Sequence, residues 1–119
     1  MTAGTEQDRE LDSDLVSIIM PTYNCGAFIA ETIATVQAQT HPRWELIVVD
    51  DCSTDDTTDV VGALAKDDPR IRYVRLETNS GAAMARNRAM ELAQGRYMAF
   101  LDSDDLWHPD KLRRQIDFM

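Results

Sequence analysis

Short apolar runs alternate with longer stretches of helical period along this chain. Val16-Ser17-Ile18-Ile19-Met20 predicts a first strand, closed by Pro21. The stretch 27–39 carries Ile29, Ile33 and Val36 on one face, a helix of amphipathic type. Trp44 to Val49 predicts the second strand, ending in Asp50-Asp51. The next helix is expected over 55–66, with Ser53 or Thr54 as cap, Asp55 and Asp56 in its first turn, and Val60, Val61 and Leu64 inward. Ile71 to Leu76 reads as the third strand. Ala82, Ala85, Ala89 and Leu92 form one stripe of a helix over 81–93, which Gly95 ends. Tyr97 to Leu101 reads as a fourth, buried strand. A last helix opens at Pro109.

Strand and helix in strict alternation predict an α/β fold, a Rossmann-like parallel sheet flanked by helices. Ligands of such sheets bind beyond the carboxyl ends of the strands. The unusual polar clusters all fall there: Pro21-Thr22-Tyr23-Asn24, Asp50-Asp51, Asn79-Ser80-Gly81, and Asp102-Ser103-Asp104-Asp105. Four clusters on one predicted edge carry more weight than any one alone.

Composition narrows the picture. A chain of 119 residues holds one domain at most. Its net charge is −9. Residues 1–14 hold five acids against Arg9 and lack an apolar core, so they are expected to be a disordered acidic tail; the domain is expected over 15–119. An acidic chain disfavours nucleic acid and anionic membrane as partners. No apolar run approaches the roughly 20 residues of a membrane span. Cys25 and Cys52 are expected as free thiols in a reducing compartment, the cytoplasm or the inner face of its membrane.

The clusters suggest chemistry. Three carboxylates at the end of an apolar strand repel one another, and a divalent cation, Mn2+ or Mg2+, would relieve that repulsion through oxygen ligands. Asp-x-Asp spacing turns Asp102 and Asp104 to one side. The same residues would also serve as a solvated acidic turn before the next helix, capped by Ser103 or Asp105. Asp50 and Asp51 can accept a base N–H or a ribose hydroxyl, or satisfy a loop. Tyr23 can stack on a base and Thr22 can bond to it, or both can pack a loop. Gly81, at a helix start, can let backbone N–H groups meet phosphate, or serve a turn. Arg86 and Arg88 lie in the first two turns of that helix and can pair with phosphate. Trp107 is either sugar-facing or core, and His41 and His108 are expected to be structural.

Val16 to Asn24, Val48 to Asp55, Asn79-Ser80-Gly81 with Ala85-Arg86-Asn87, and Phe100 to Asp105 together resemble a family 2 glycosyltransferase, over about residues 15–119. The resemblance implies the nucleotide-binding half of an A-type glycosyltransferase fold. It also implies inverting transfer from a nucleotide-diphosphate sugar, a UDP-sugar being favoured, to a glycan or lipid-linked sugar. Pro21, Thr22, Tyr23 and Asp51 would then line the nucleoside pocket, with Asp50, Gly81, Arg86 and Ser103 contributing to the nucleotide site. Asp102 would lie near the ribose or the metal, and Asp104 would be the principal metal ligand. The base that deprotonates the acceptor is expected beyond Met119. On that account the chain holds the donor-binding half only. Its cut sheet edge beside the fourth strand is a candidate surface for a homo-oligomer. Cys52 departs from the family pattern, in which glycine is usual at this turn.

Other readings fit less well. A receiver domain needs its acidic pair after the first strand, and here a whole strand-helix unit precedes Asp50. A nucleotidyltransferase would carry a glycine-rich loop after strand one, and a dinucleotide oxidoreductase would carry G-x-G-x-x-G. Neither motif is present. A nucleotide-binding module without turnover remains the alternative from another class.

Overall fold

The computed structural model describes residues 14–118, so the expected tail lies outside the described residues but for Asp14. Four strands form one parallel sheet: β1 (Val16–Thr22), β2 (Trp44–Asp50), β3 (Ile71–Arg75) and β4 (Tyr97–Phe100), in the order β3-β2-β1-β4. Helices α1 (Ile29–Gln37), α2 (Thr57–Asp67), α3 (Ala82–Leu92) and α4 (Lys111–Phe118) follow the strands in turn. The chain builds β1, steps outward through β2 and β3, then returns across β1 to place β4 on its far side. The two outward directions part beside β1, where open α/β sheets carry their sites.

Alternation along β1 and β2 divides the core between the two faces. Val16, Ile18 and Met20 pack with Leu46 and Val48 beneath Ile33 and Val36 of α1, Val61 of α2 and Leu112 of α4. Ile19, Ile47 and Val49 face the other way, against Ala85 and Ala89 of α3. Alanine on that stripe leaves the helix free to lie close to the strands.

Several expectations need correction. Pro21 does not close β1; it stays in the strand, paired with Val49. The N–H it lacks would face β4, whose pairing with β1 stops at Phe100 opposite Ile19, so no ladder bond is lost. Neither Ser53 nor Thr54 caps α2. Asp55 accepts the Thr57 N–H ahead of the helix, and hydrogen bonds from Thr57 hold its carboxyl below the usual range. At the C-terminal helix, the Pro109-Asp110 turn precedes α4, and Asp110 O accepts the Arg114 N–H. β4 is buried on one face only. Ala99 and Leu101 point into the core, whereas Met98 and Phe100 are 44% and 54% exposed. They lie on the α3 side, and α3 covers β1 and β2 instead.

Gly95 is not a helix cap. It admits the chain to β4 against the start of β1, where a Cβ would come within 2.6 Å of Leu15 O and 2.7 Å of Ser17 Oγ. Gly95→Ala is therefore expected to destabilise by about 1–3 kcal/mol, the usual range for overpacking. Urea unfolding would measure it, and an unchanged midpoint would refute the close approach.

At the opposite edge from the polar clusters, the Arg70 guanidinium lies 3.9 Å over the Trp44 ring and 3.0 Å from Asp68. Hydrogen bonding from Arg70 holds the Asp68 carboxyl down to about 2, against the opposing effect of burial. A carboxyl lowered in the folded state contributes its stability in full above the ordinary value of 3.8, and that contribution is lost as pH falls toward 2. Asp68→Asn is expected to lower stability above pH 4 and to flatten the acid limb between pH 4 and 2. Melting temperature against pH for both proteins checks this.

Candidate functional site

Parallel pairing sends the ends of all four strands to one edge, and the loops there are tied to one another. Asp51 N–H donates to Thr22 O at 2.9 Å, joining the ends of β2 and β1. Asn24 takes the left-handed conformation (φ 50), and its side-chain oxygen accepts the Thr54 N–H at 2.7 Å. Its own N–H donates to Ser53 Oγ at 2.8 Å. A cavity of about 290 Å³ opens between these loops and α3, lined by Pro21, Thr22, Tyr23, Asp51, Asn79, Ala82 and Ala85. Tyr23 is 47% exposed at this cavity, and Thr22 Oγ1 is buried with no hydrogen-bond partner among the described residues. Asn79, Ala82 and Ala85 were not singled out from the sequence as lining residues; the two alanines were read only as a core stripe.

The four aspartates that sequence reasoning grouped are in different environments. Asp50 is fully buried, and its carboxylate accepts from Ser53 N–H (2.9 Å), Ser53 Oγ (2.6 Å) and the Tyr73 hydroxyl. Burial, and then Asp50 itself, push the Tyr73 phenol above its ordinary value. Asp50 is thus a structural acid with no route to a ligand, contrary to the expectation that it contacts nucleotide. Asp51 does line the cavity. Its two oxygens accept the Ser80 N–H at 2.6 Å and the Gly81 N–H at 2.9 Å, at the start of α3. A carboxylate at a helix N-terminus is favoured by the dipole. This arrangement corrects the expectation for Gly81, because its N–H is given to Asp51 rather than held for a phosphate. Glycine is required there for another reason, its φ of +95.

Asp102 and Asp104 are exposed beyond β4, and neither side chain takes a hydrogen bond or ion pair from a described residue. Ser103 between them is buried, with its hydroxyl on Cys25 Sγ at 2.8 Å, so it is not turned to a nucleotide as expected. Arg86 is exposed on α3 and does not line the cavity. Trp107 is 7% exposed and belongs to the core, with Lys111 Nζ 5.3 Å from its ring centre. Both cysteines are free thiols. His41 and His108 bond to backbone groups of Asp14 and Asp110.

The donor set at Asp102 and Asp104 fits a hard divalent cation, since both are carboxylates left without protein partners. No group of three or more metal-ligating side chains occurs among the described residues, so such an ion would need further oxygens from a ligand. No helix of the described residues is long and apolar enough to cross a membrane.

The family model for glycosyl transferase family 2 matches residues 17–119. The chain belongs to that family. It is 58% identical, over 105 residues, to a putative teichuronic acid biosynthesis glycosyltransferase, TuaG, of Bacillus subtilis. That match covers 88% of this chain and 42% of the relative, so the chain spans about two fifths of that relative's length. The crystal structure of S. aureus TarS 1–349 in complex with UDP-GlcNAc superposes with a TM-score of 0.81 at 37% identity, over 87% of this chain and 30% of that one. A Pyrobaculum calidifontis mannosyltransferase in complex with GDP-Man and Mn2+ gives 0.79 at 33% identity, over 85% and 31%. The sheet and its helices are thus those of the A-type glycosyltransferase fold, as the sequence resemblance implied.

Cys52, where the family usually has glycine, takes φ 65 and donates its thiol to Leu76 O at 2.9 Å. The left-handed conformation is strained for a residue with a Cβ. Cys52→Gly should stabilise the fold by about 0.5–1 kcal/mol, the relief of strain less glycine's added chain entropy. A lower denaturation midpoint would mean that the thiol bond outweighs the strain.

Proposed function

We propose that this chain is the donor-binding portion of an inverting glycosyltransferase that takes a nucleotide-diphosphate sugar, a UDP-sugar by preference. Its acceptor would be a hydroxyl on an envelope glycan or lipid-linked sugar, reached from the cytoplasmic side. One observation carries the reading: a nucleoside-sized cavity and a pair of uncommitted carboxylates share one sheet edge. TuaG's name supports the envelope glycan, and the ligands of the two solved structures support the nucleotide sugar and the metal.

Each residue has a role on this reading. Tyr23 offers an exposed ring for base stacking at the cavity. Asp51, held by two N–H donors, retains lone pairs for a base N–H or a ribose hydroxyl. Thr22 Oγ1 offers a second hydrogen-bonding group without a partner. Asp104, with Asp102, would hold Mn2+ or Mg2+, which when bound neutralises negative charge on the departing diphosphate as a Lewis acid. Holding both ends of the donor fixes the sugar carbon relative to an incoming hydroxyl.

Titration calorimetry with UDP and with uridine, with and without Mn2+, tests the division of labour. Asp104→Ala should abolish the manganese-dependent part of UDP binding and leave uridine binding intact, and Asp105→Ala should weaken UDP binding less. Asp51→Ala should weaken both ligands by about 1.5–3 kcal/mol, the range for a charged hydrogen bond. UDP affinity equal with and without metal in the parent chain would refute the metal site. Uridine affinity unchanged in Asp51→Ala would refute the pocket assignment.

A further inference from the structure

Ser103 stands between two exposed carboxylates yet is 7% exposed itself. It is held at both ends. Its carbonyl accepts the Thr32 hydroxyl at 2.9 Å, and its own hydroxyl lies 2.8 Å from Cys25 Sγ. Thr32 is fully buried within α1. A threonine inside a helix commonly bonds back to its own preceding turn, but this one donates across to the loop.

The same helical stripe continues the pattern. Thr35 Oγ1 accepts the Trp107 N–H at 3.2 Å while donating to Thr32 O at 2.7 Å. Gln39, just past the helix, donates to His108 O at 2.8 Å and accepts the Leu112 N–H at 3.1 Å. These bonds tie residues 103–112 to one face of α1. The acids Asp102, Asp104 and Asp105 repel one another and favour an opened loop in the absence of a cation. The ties oppose that opening.

We infer that Thr32 is a positioning residue for the Asp102 and Asp104 carboxylates, fixing through the Ser103 carbonyl where both acids point. The inference rests on the reading that Asp104 ligates a metal. Thr32 touches neither ligand nor metal. Without its hydroxyl, the Ser103 carbonyl is left buried with no donor, and the peptide turns toward water to recover a hydrogen bond. Both flanking carboxylates turn with it, and the cation then meets a site that it must first organise.

The test uses this chain with Mn2+ titrated at saturating UDP, followed by calorimetry. Thr32→Val keeps the shape and removes the hydroxyl. It should lower the apparent Mn2+ affinity by about tenfold or more, as outer-shell substitutions at metal sites do. Metal-free uridine binding should stay at the parent value, because the cavity does not include Thr32. Thr32→Ser should restore the Mn2+ affinity, which a simple packing role would not predict. A folded Thr32→Val with parent Mn2+ affinity overturns the inference. If Asp104→Ala also keeps the parent Mn2+ response, the metal reading falls and takes this inference with it. If Asp104→Ala loses the response while Thr32→Val keeps it, only the inference falls. Should Thr32→Val fail to fold, Thr35→Val cuts the next tie, at Trp107. It should lower Mn2+ affinity in the same direction, and no loss there overturns the inference equally.

Discussion

β1 is hydrogen-bonded on both sides, and its pairing sets the position of everything at the functional edge. Its register with β2 runs from Val16 opposite Trp44 to Thr22 opposite Asp50. Its register with β4 runs from Val16 opposite Tyr97 to Ile19 opposite Phe100. A slip of one residue on either side would exchange the two faces of a strand and move the loops that follow it. The polar clusters are separate in sequence and meet only because three parallel strands end at one level.

That edge collects negative charge, and each acid is accommodated by a different means. Asp50 is buried, at a place where three donors complete its hydrogen bonding. Asp51 lies at the positive end of α3. Asp55 is solvated and held by Thr57. Asp102 and Asp104 alone receive none of these, and so keep their full capacity to bind a cation. The surrounding protein satisfies Ser103, the residue between them, and leaves the carboxylates themselves free. The division is chemically economical, because the groups that hold the loop in place are not the groups that would touch a ligand.

The strand and helix order could be read from periodicity because each element is long enough to show its apolar face. The parallel sheet followed from the alternation. Less legible was whatever depends on partners far away in the chain. Met98 and Phe100 belong to an apolar run that looked buried, but whether α3 covers them is decided by where that helix crosses. Asp50 and Asp51 are neighbours with equal chemistry in sequence; their opposite fates come from strand alternation at the end of β2 and from Tyr73 and Ser80, which lie in later segments. Gly95 looked like a helix cap because a glycine after a helix commonly is one, and the approach of Leu15 could not be foreseen. Thr32 was hidden most completely. A threonine among isoleucines and alanines reads as a helix position of low interest until the loop it bonds to is in view.

The ties between α1 and the acidic loop also bear on the order in which the chain folds. They join residues 71, 72, 69 and 73 positions apart. The β1–β2 pairing, by contrast, closes over a single helix. Loop closure costs more entropy as the enclosed length grows, and contacts of high sequence separation slow folding. β1, α1 and β2 can assemble while β4 is still unformed, so the cavity walls they contribute are early structure. The acidic loop takes shape only when β4 adds to β1. On a ribosome the same order would be imposed by synthesis, with the cation-binding acids emerging after the scaffold that aims them. The paired carboxylates are thus exposed to their mutual repulsion only once the struts that restrain them are already in place.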